Sequence, residues 1–203
     1  DLIEWMRGYN ADPAHGVNVR FYGFDAPTEA IGTESPGPIL RHALDYLDRF
    51  GSRRGHRRRE RIEALIGSDA TWENPAVIMN PTLGVGLSAA AHELRAETEE
   101  LISELRTRRP ELVARGDGEA YAEALHQATI ARQLLTYHAG LARPADTRQA
   151  DLLGIRDAIM ADNLGHIVAR ERGRGKVFAF AHNGHLQQQQ VVWQLGPQRI
   201  AWW

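Results

Sequence analysis

The sequence predicts a helix-rich α/β fold, with a short and mainly parallel central sheet flanked by long helices. Three observations carry that prediction. Two apolar, strand-like segments stand far apart, at Asn18–Asp25 and Lys176–Ala181. The chain between them is dominated by apolar residues at helical spacing, and strands joined by helical crossovers are the pattern of α/β architecture. Each strand candidate also stops at a residue able to do chemistry, Asp25 and His182, which is where such folds gather functional groups.

Taken in order, Leu2 to Asn10 reads as the last turns of an amphipathic helix, closed by the turn signal Asn10-Ala-Asp-Pro13. Asn18 to Asp25 is β-branched and aromatic, broken only by Gly23, and reads as a strand. The Gly/Pro-rich stretch from Ala26 to Pro38 is a loop. Ile39 to Phe50 places Leu40, Leu44 and Leu47 on one helical face, and Arg54 to Ile66 is a shorter helix. Gly67 to Gly84, with Pro75 and Pro81 and no periodicity, reads as loop. Ala89 to Arg109 is a strong helix whose acids come early and bases late, matching the macrodipole. Gly118 to His138 is another, stopped by Gly140 and Pro144.

The last long helix runs from about Thr147 to Arg172 and ends in Gly173-Arg174-Gly175. Lys176 to Ala181 then reads as a buried parallel strand, apolar on both faces. From Val191 to Trp203 apolar runs alternate around a Gly196-Pro197 turn. The whole, residues 1–203, is expected to be one domain with a helical insertion at about 39–145.

Composition bounds the function. The chain has 203 residues, 43% hydrophobic and 25% charged, so it can bury a real core and is not a disordered chain. A formal net charge of -2, with both signs scattered, gives no reason to expect a nucleic-acid partner. The basic run Arg53 to Arg59, followed by Glu60 and Glu63, is expected to be a solvated helix start rather than an anion-binding patch. With no cysteine, disulfides, thiolate nucleophiles and Cys-ligated zinc are excluded, and a reducing, cytoplasmic setting suits the chain. No apolar run approaches the roughly 18 residues of a spanning helix, so no membrane partner is expected.

Three constellations can carry chemistry. His182 and His185 flank Asn183-Gly184 in a turn after a strand, so both imidazoles can share one cavity. An imidazole there can serve as a general base on water. It can equally bond loop backbone or lie solvated, and two histidines alone do not make a metal site. On the last long helix, Arg156 and Asn163 lie within about 20° of each other, on the face of Leu152, Ile155, Ile159 and Ile167. A cation amid apolar residues is costly without partners. Either Arg156 ties the helix to a loop while Asp157 pairs with a surface base, or Arg156 points into a polar cavity and binds a carboxylate or oxyanion. Asp25 is either a cap for the next turn or a member of the same site. No Gly-x-Ser-x-Gly elbow, Walker sequence or Rossmann fingerprint is present, so a hydrolase built this way uses activated water.

Four segments together resemble the erythromycin esterase family. They are Trp5-Met6-Arg7-Gly8-Tyr9-Asn10, Phe21-Tyr22-Gly23-Phe24-Asp25, Arg156-Asp157-Ala-Ile-Met160-Ala-Asp-Asn163 and Ala181-His182-Asn183-Gly184-His185, in the family's order and rough spacing. The tail from Trp193 to Trp203 is similar to the actinobacterial branch. The resemblance implies a hydrolase without metal or cofactor that opens the lactone ester of macrolides and so confers macrolide resistance. It implies catalytic roles for His182, His185 and Arg156. Asp25, Asp157, Asn163 and Asn183 are expected to contact substrate. In the family a Gly-Glu-x-x-His segment ahead of the Trp5 motif activates the water, and no such segment occurs in these 203 residues. The chain starts at Asp1 without a Met and stops at Ala201-Trp202-Trp203. The expectation is therefore a domain incomplete at both ends and a weak or inactive catalyst by itself. Two other functions fit the residues: a non-catalytic module binding a small molecule, and a metal-dependent hydrolase using His182 and His185 with acids such as Asp25.

Overall fold

Side-chain caps begin several of the helices. Ser88 accepts from the Ala91 amide at 3.1 Å, and Asp117 from the Glu119 and Ala120 amides at 3.0 and 3.3 Å. Each satisfies donors that a helix start leaves bare. The computed structural model describes residues 1–26, 33–50 and 53–202. In chain order the helices are α1 (Leu2–Ala11), α2 (Gly37–Asp48), α3 (Arg53–Ile66), α4 (Asp69–Trp72), α5 (Ala89–Thr107), α6 (Arg109–Arg115), α7 (Gly118–Leu141) and α8 (Arg148–Arg170). Strands β1 (Val191–Leu195) and β2 (Gln198–Trp202) close the chain as an antiparallel hairpin, with Trp193 opposite Ile200. Gly196 turns it at φ +59°, a left-handed conformation that glycine adopts without cost.

The core lies among α2, α3, α5 and α7, where Leu40, Leu44, Ile62, Leu94, Leu101 and Leu135 are fully buried. Each such side chain contributes about 1.5–3 kcal/mol of apolar burial. Helix α7 is covered on several faces, and its small residues Ala124, Ala128 and Ala131 let neighbours come close. Two glycines mark the tightest approaches. A Cβ on Gly86 would stand 2.1 Å from the His138 carbonyl oxygen, and one on Gly140 would press Leu152 and Ile155 of α8 at about 3 Å. Helix α8 thereby lies against α7, and its other side meets β2 through a small cluster of Val191, Ile200 and Trp202 with Leu153.

The expected helices are present close to their expected bounds, with three differences. First, the only sheet among the described residues is the terminal hairpin, where a parallel central sheet was expected. Residues 18–24 and 176–181 form neither helix nor strand and carry no strand pairing. The first is pinned by side chains: Asn10 takes both the Val19 amide and the Val19 carbonyl, at 2.7 and 2.9 Å. The second leaves Phe178 88% and Phe180 84% exposed, where a two-sided buried strand was expected. A short apolar run has the same composition in both settings, so periodicity cannot separate them.

Second, the expected loop at 67–84 contains α4 and two single 3-10 turns, Pro75–Ile78 and Pro81–Leu83. Asn74 and Asn80 cap those turns, and Trp72 is buried with its indole N–H donated to the Ile66 carbonyl at 3.0 Å. Third, the helix expected to reach Arg109 breaks at Arg108, and Pro110 begins α6 because proline fits the first turn.

The basic run is not simply solvated. Arg58 is buried and pairs with Glu97 and Glu104 of α5, while Arg59 pairs with Asp45 and Asp48 of α2. No helix among the described residues is long and apolar enough to cross a membrane. Of the expected loop 26–38, residues 27–32 lie outside the described residues, as does Trp203 of the expected tail.

Candidate functional site

Helix α8 supplies two adjacent charged side chains that reach different partners. Arg156 donates Nε–H to Asp25 Oδ1 at 2.8 Å, and a terminal guanidinium nitrogen donates to Asp25 Oδ2. This forked pair joins residues 131 apart in sequence and fixes both planes. Asp25 is brought there by its own segment. Asn163, about two turns further along α8 on the same face, donates to the Phe24 carbonyl at 3.2 Å, and Tyr22 donates its hydroxyl to Glu171 at 2.6 Å. Burial works to raise the Asp25 pKa. The Arg156 hydrogen bonds and charge, with the Ala26 amide and His185, outweigh it and hold Asp25 below the usual carboxylate range. Arg156 in turn is held above its ordinary value, first by the hydrogen bond to Asp25.

Asp157 faces the other way. Its Oδ1 lies 2.5 Å from His185 Nδ1, and its Oδ2 accepts the indole N–H of Trp202 at 2.7 Å. A carboxylate accepts only, so the His185 proton sits on Nδ1 and Nε2 is left with a lone pair. His185 is 9% exposed and Asp157 18%. The 3-10 turn Asn183–His185 carries the histidine, and β2 carries the tryptophan that holds the carboxylate from behind.

His182 is placed differently. It is exposed, and its Nδ1 accepts the Gly184 amide at 3.1 Å, capping the turn. In the neutral ring the proton then lies on Nε2, so His182 presents a donor where His185 presents an acceptor. The two rings stand 6.4 Å apart at 74°. Asn183 is exposed beside them, and its carbonyl accepts the Leu186 amide.

Of the residues singled out by sequence, Asp25 and Arg156 bond each other, and His185 bonds Asp157. Because Arg156 and Asp157 are neighbours, the two pairs lie side by side. Asn163 is buried, holds the Asp25 segment in place, and also lines a cavity between α7 and α8. Sequence reasoning missed Trp202, whose alternating strand offered no polar signal. It also missed Gln133, a buried amide on α7 that donates to Asn163 at 3.2 Å; a glutamine among the buried leucines and alanines of α7 was the visible clue. Among the described residues no three His, Asp or Glu side chains converge as a metal-ligand set.

A groove of about 540 Å3 along α8 touches this site only through Trp202; Arg143, Asp151, Ile155 and Ala158 are among its other lining residues, and neither histidine nor the Arg156–Asp25 pair lines it. That volume is in the range of small-molecule sites. Chemically, the arrangement offers one oriented base, one exposed imidazole donor and one fixed cation–carboxylate pair.

No curated protein and no solved structure matches the chain. The model of one protein family, erythromycin esterase, matches residues 1–198. The four motifs therefore lie within a single match that spans nearly the whole chain, and the chain belongs to the erythromycin esterase family.

Proposed function

We propose that the protein is a carboxylic ester hydrolase that opens the lactone of a macrolide with a histidine-activated water, and that His185 is the base this chain contributes. The observation that carries the proposal is the His185–Asp157–Trp202 chain, which sets the tautomer and orientation of the imidazole and leaves Nε2 to accept a proton. Family membership supplies the reaction class.

In the proposed step, His185 Nε2 takes a proton as the water oxygen bonds to the lactone carbonyl carbon. The acyl C–O bond then breaks, and the departing ring oxygen takes a proton back, leaving a carboxylic acid and an alcohol. His182 donates from Nε2 to substrate. Arg156 stays anchored to Asp25 and lends positive charge to the developing oxyanion, while Asn183 contacts substrate at the exposed rim. The fuller α/β arrangement belongs to the same proposal. A parallel sheet built on residues 18–25 and 176–181 would cover Phe21, Phe178 and Phe180, all exposed as described.

The test is ring opening of erythromycin in oxygen-18 water by the full-length protein to which these 203 residues belong, followed by mass spectrometry. One heavy oxygen in the new carboxylate, lost together with activity in His185→Gln, is the expected result. Label-free product, or turnover that persists in His185→Gln, would contradict the proposal. Ligand binding with no product in any preparation would favour the binding-module function instead.

A further inference from the structure

Behind Asn163, a cavity of about 440 Å3 opens between α7, α8 and the α5–α6 corner. Its floor and its mouth have opposite characters. At depth, Gln133 is 6% exposed and its Oε1 has no hydrogen-bond partner among the described residues; the same is true of the buried Nε2 of His166. Both lie on the cavity lining. Leaving a buried polar atom unmet costs about 1–3 kcal/mol, so Gln133 Oε1 awaits a donor, and His166 Nε2 a donor or an acceptor according to its tautomer. The Gln133 side-chain nitrogen is already committed to Asn163, which leaves the bare oxygen as an acceptor only.

The walls, Tyr121 and Leu125, are largely apolar. At the mouth stand Arg106, Arg109 and one acid, Asp162, all exposed and none in an ion pair among the described residues, so the mouth carries a net positive charge. His166 stacks on His126 with ring centroids 3.9 Å apart and planes parallel, which presents a rigid wall. Burial first, and the neighbouring imidazole and Arg170 next, push His126 down to about 4, so at neutral pH the stack adds no cation of its own.

A ligand that answers all these features needs a donor at one end, an apolar body and an acid group at the other. Tyr121, beside the arginines, and Gln133 are about 18 Å apart along the helix axis. Long arginine side chains can span part of that distance, so the acid group of a ligand need not reach its full length. We propose that this cavity is a second binding site, for a medium-chain hydroxy acid whose hydroxyl meets Gln133 and His166 and whose carboxylate meets Arg106 and Arg109. The site does not depend on the esterase function, although lactone opening itself yields hydroxy acids.

The test uses ω-hydroxydecanoate as probe, with decanoate and the matching diol as controls, read by calorimetry and by the His126 and His166 ring resonances. The hydroxy acid is expected to bind at least about fivefold more tightly than decanoate, because its hydroxyl can donate to Gln133 Oε1 and accept from a protonated His166 Nε2, and decanoate leaves both unmet. Arg106→Gln combined with Arg109→Gln, both exposed positions that spare the core, is expected to weaken the hydroxy acid several-fold at low salt and leave the diol unchanged. Equal binding of hydroxy acid and decanoate would overturn the proposal. So would binding that leaves both histidine resonances unmoved, or a cavity filled by water only.

Discussion

Asp157 sits between two donors that have no reason to meet except through it. One is the imidazole of His185 and the other the indole of Trp202. Its neighbour Arg156 points to Asp25, so adjacent side chains on one helix serve two different parts of the site. This division makes a prediction specific to Asp157. In Asp157→Asn the amide presents N–H groups as well as an oxygen, and the imidazole proton can move to Nε2, which removes the base. Ester hydrolysis is then expected to fall by about 10²–10⁴ with KM little changed, and the nitrogen shifts of His185 should report the changed tautomer. Trp202→Phe removes one supporting donor and keeps the carboxylate, so a smaller loss is expected, on the order of tenfold. A Trp202→Phe loss as large as that of Asp157→Asn would mean that the hairpin holds the site by packing and not through the carboxylate.

Among the elements, α7 and α8 decide where the site stands, and two glycines test that directly. Gly86→Ala would drive a methyl into the backbone of His138, which cannot yield, and is expected to lower stability by several kcal/mol. Gly165→Ala lies on α8 with open space around it and is expected to raise stability by about 0.5–1 kcal/mol. Urea unfolding of both variants measures the difference. The helices were legible because Leu40, Leu44 and Leu47, and the long periodic runs of α5, α7 and α8, carry a signal spread over many residues. The sheet was not. Phe178 and Phe180 make an apolar run whose burial depends on what lies opposite, and local sequence does not encode that. Within the site, the turn histidines and the α8 charges were visible from type and position. Their pairing was not: Asp25 with Arg156 and His185 with Asp157 are long-range choices, made by how the segment 18–25 and the hairpin fold onto α8. The partners of Asp69, which accepts from Ser35 and Arg41, were hidden for the same reason.

At the scale of the whole molecule, buried histidines set the acid response. His126 is pushed down to about 4, and His166 and His138 are lowered as well, each mainly by burial. Unfolded, these imidazoles titrate near 6.5, so between about pH 6.5 and 4 the unfolded chain binds protons that the folded chain refuses. Their contribution to stability is therefore complete above pH 6.5 and is lost as the pH falls through that window. The urea midpoint is expected to drop across it, with a shallower slope in His126→Gln; an equal slope in that variant would remove His126 from the account. The proposed function rests on both pairs along α8 acting as one site. The most direct measurement is the rate of erythromycin ring opening by the full-length wild-type protein and by its His185→Gln variant, compared at neutral pH with both proteins shown folded. A fall of at least about a hundredfold in His185→Gln is the predicted result, and an unchanged rate would contradict the assignment of His185 as the base.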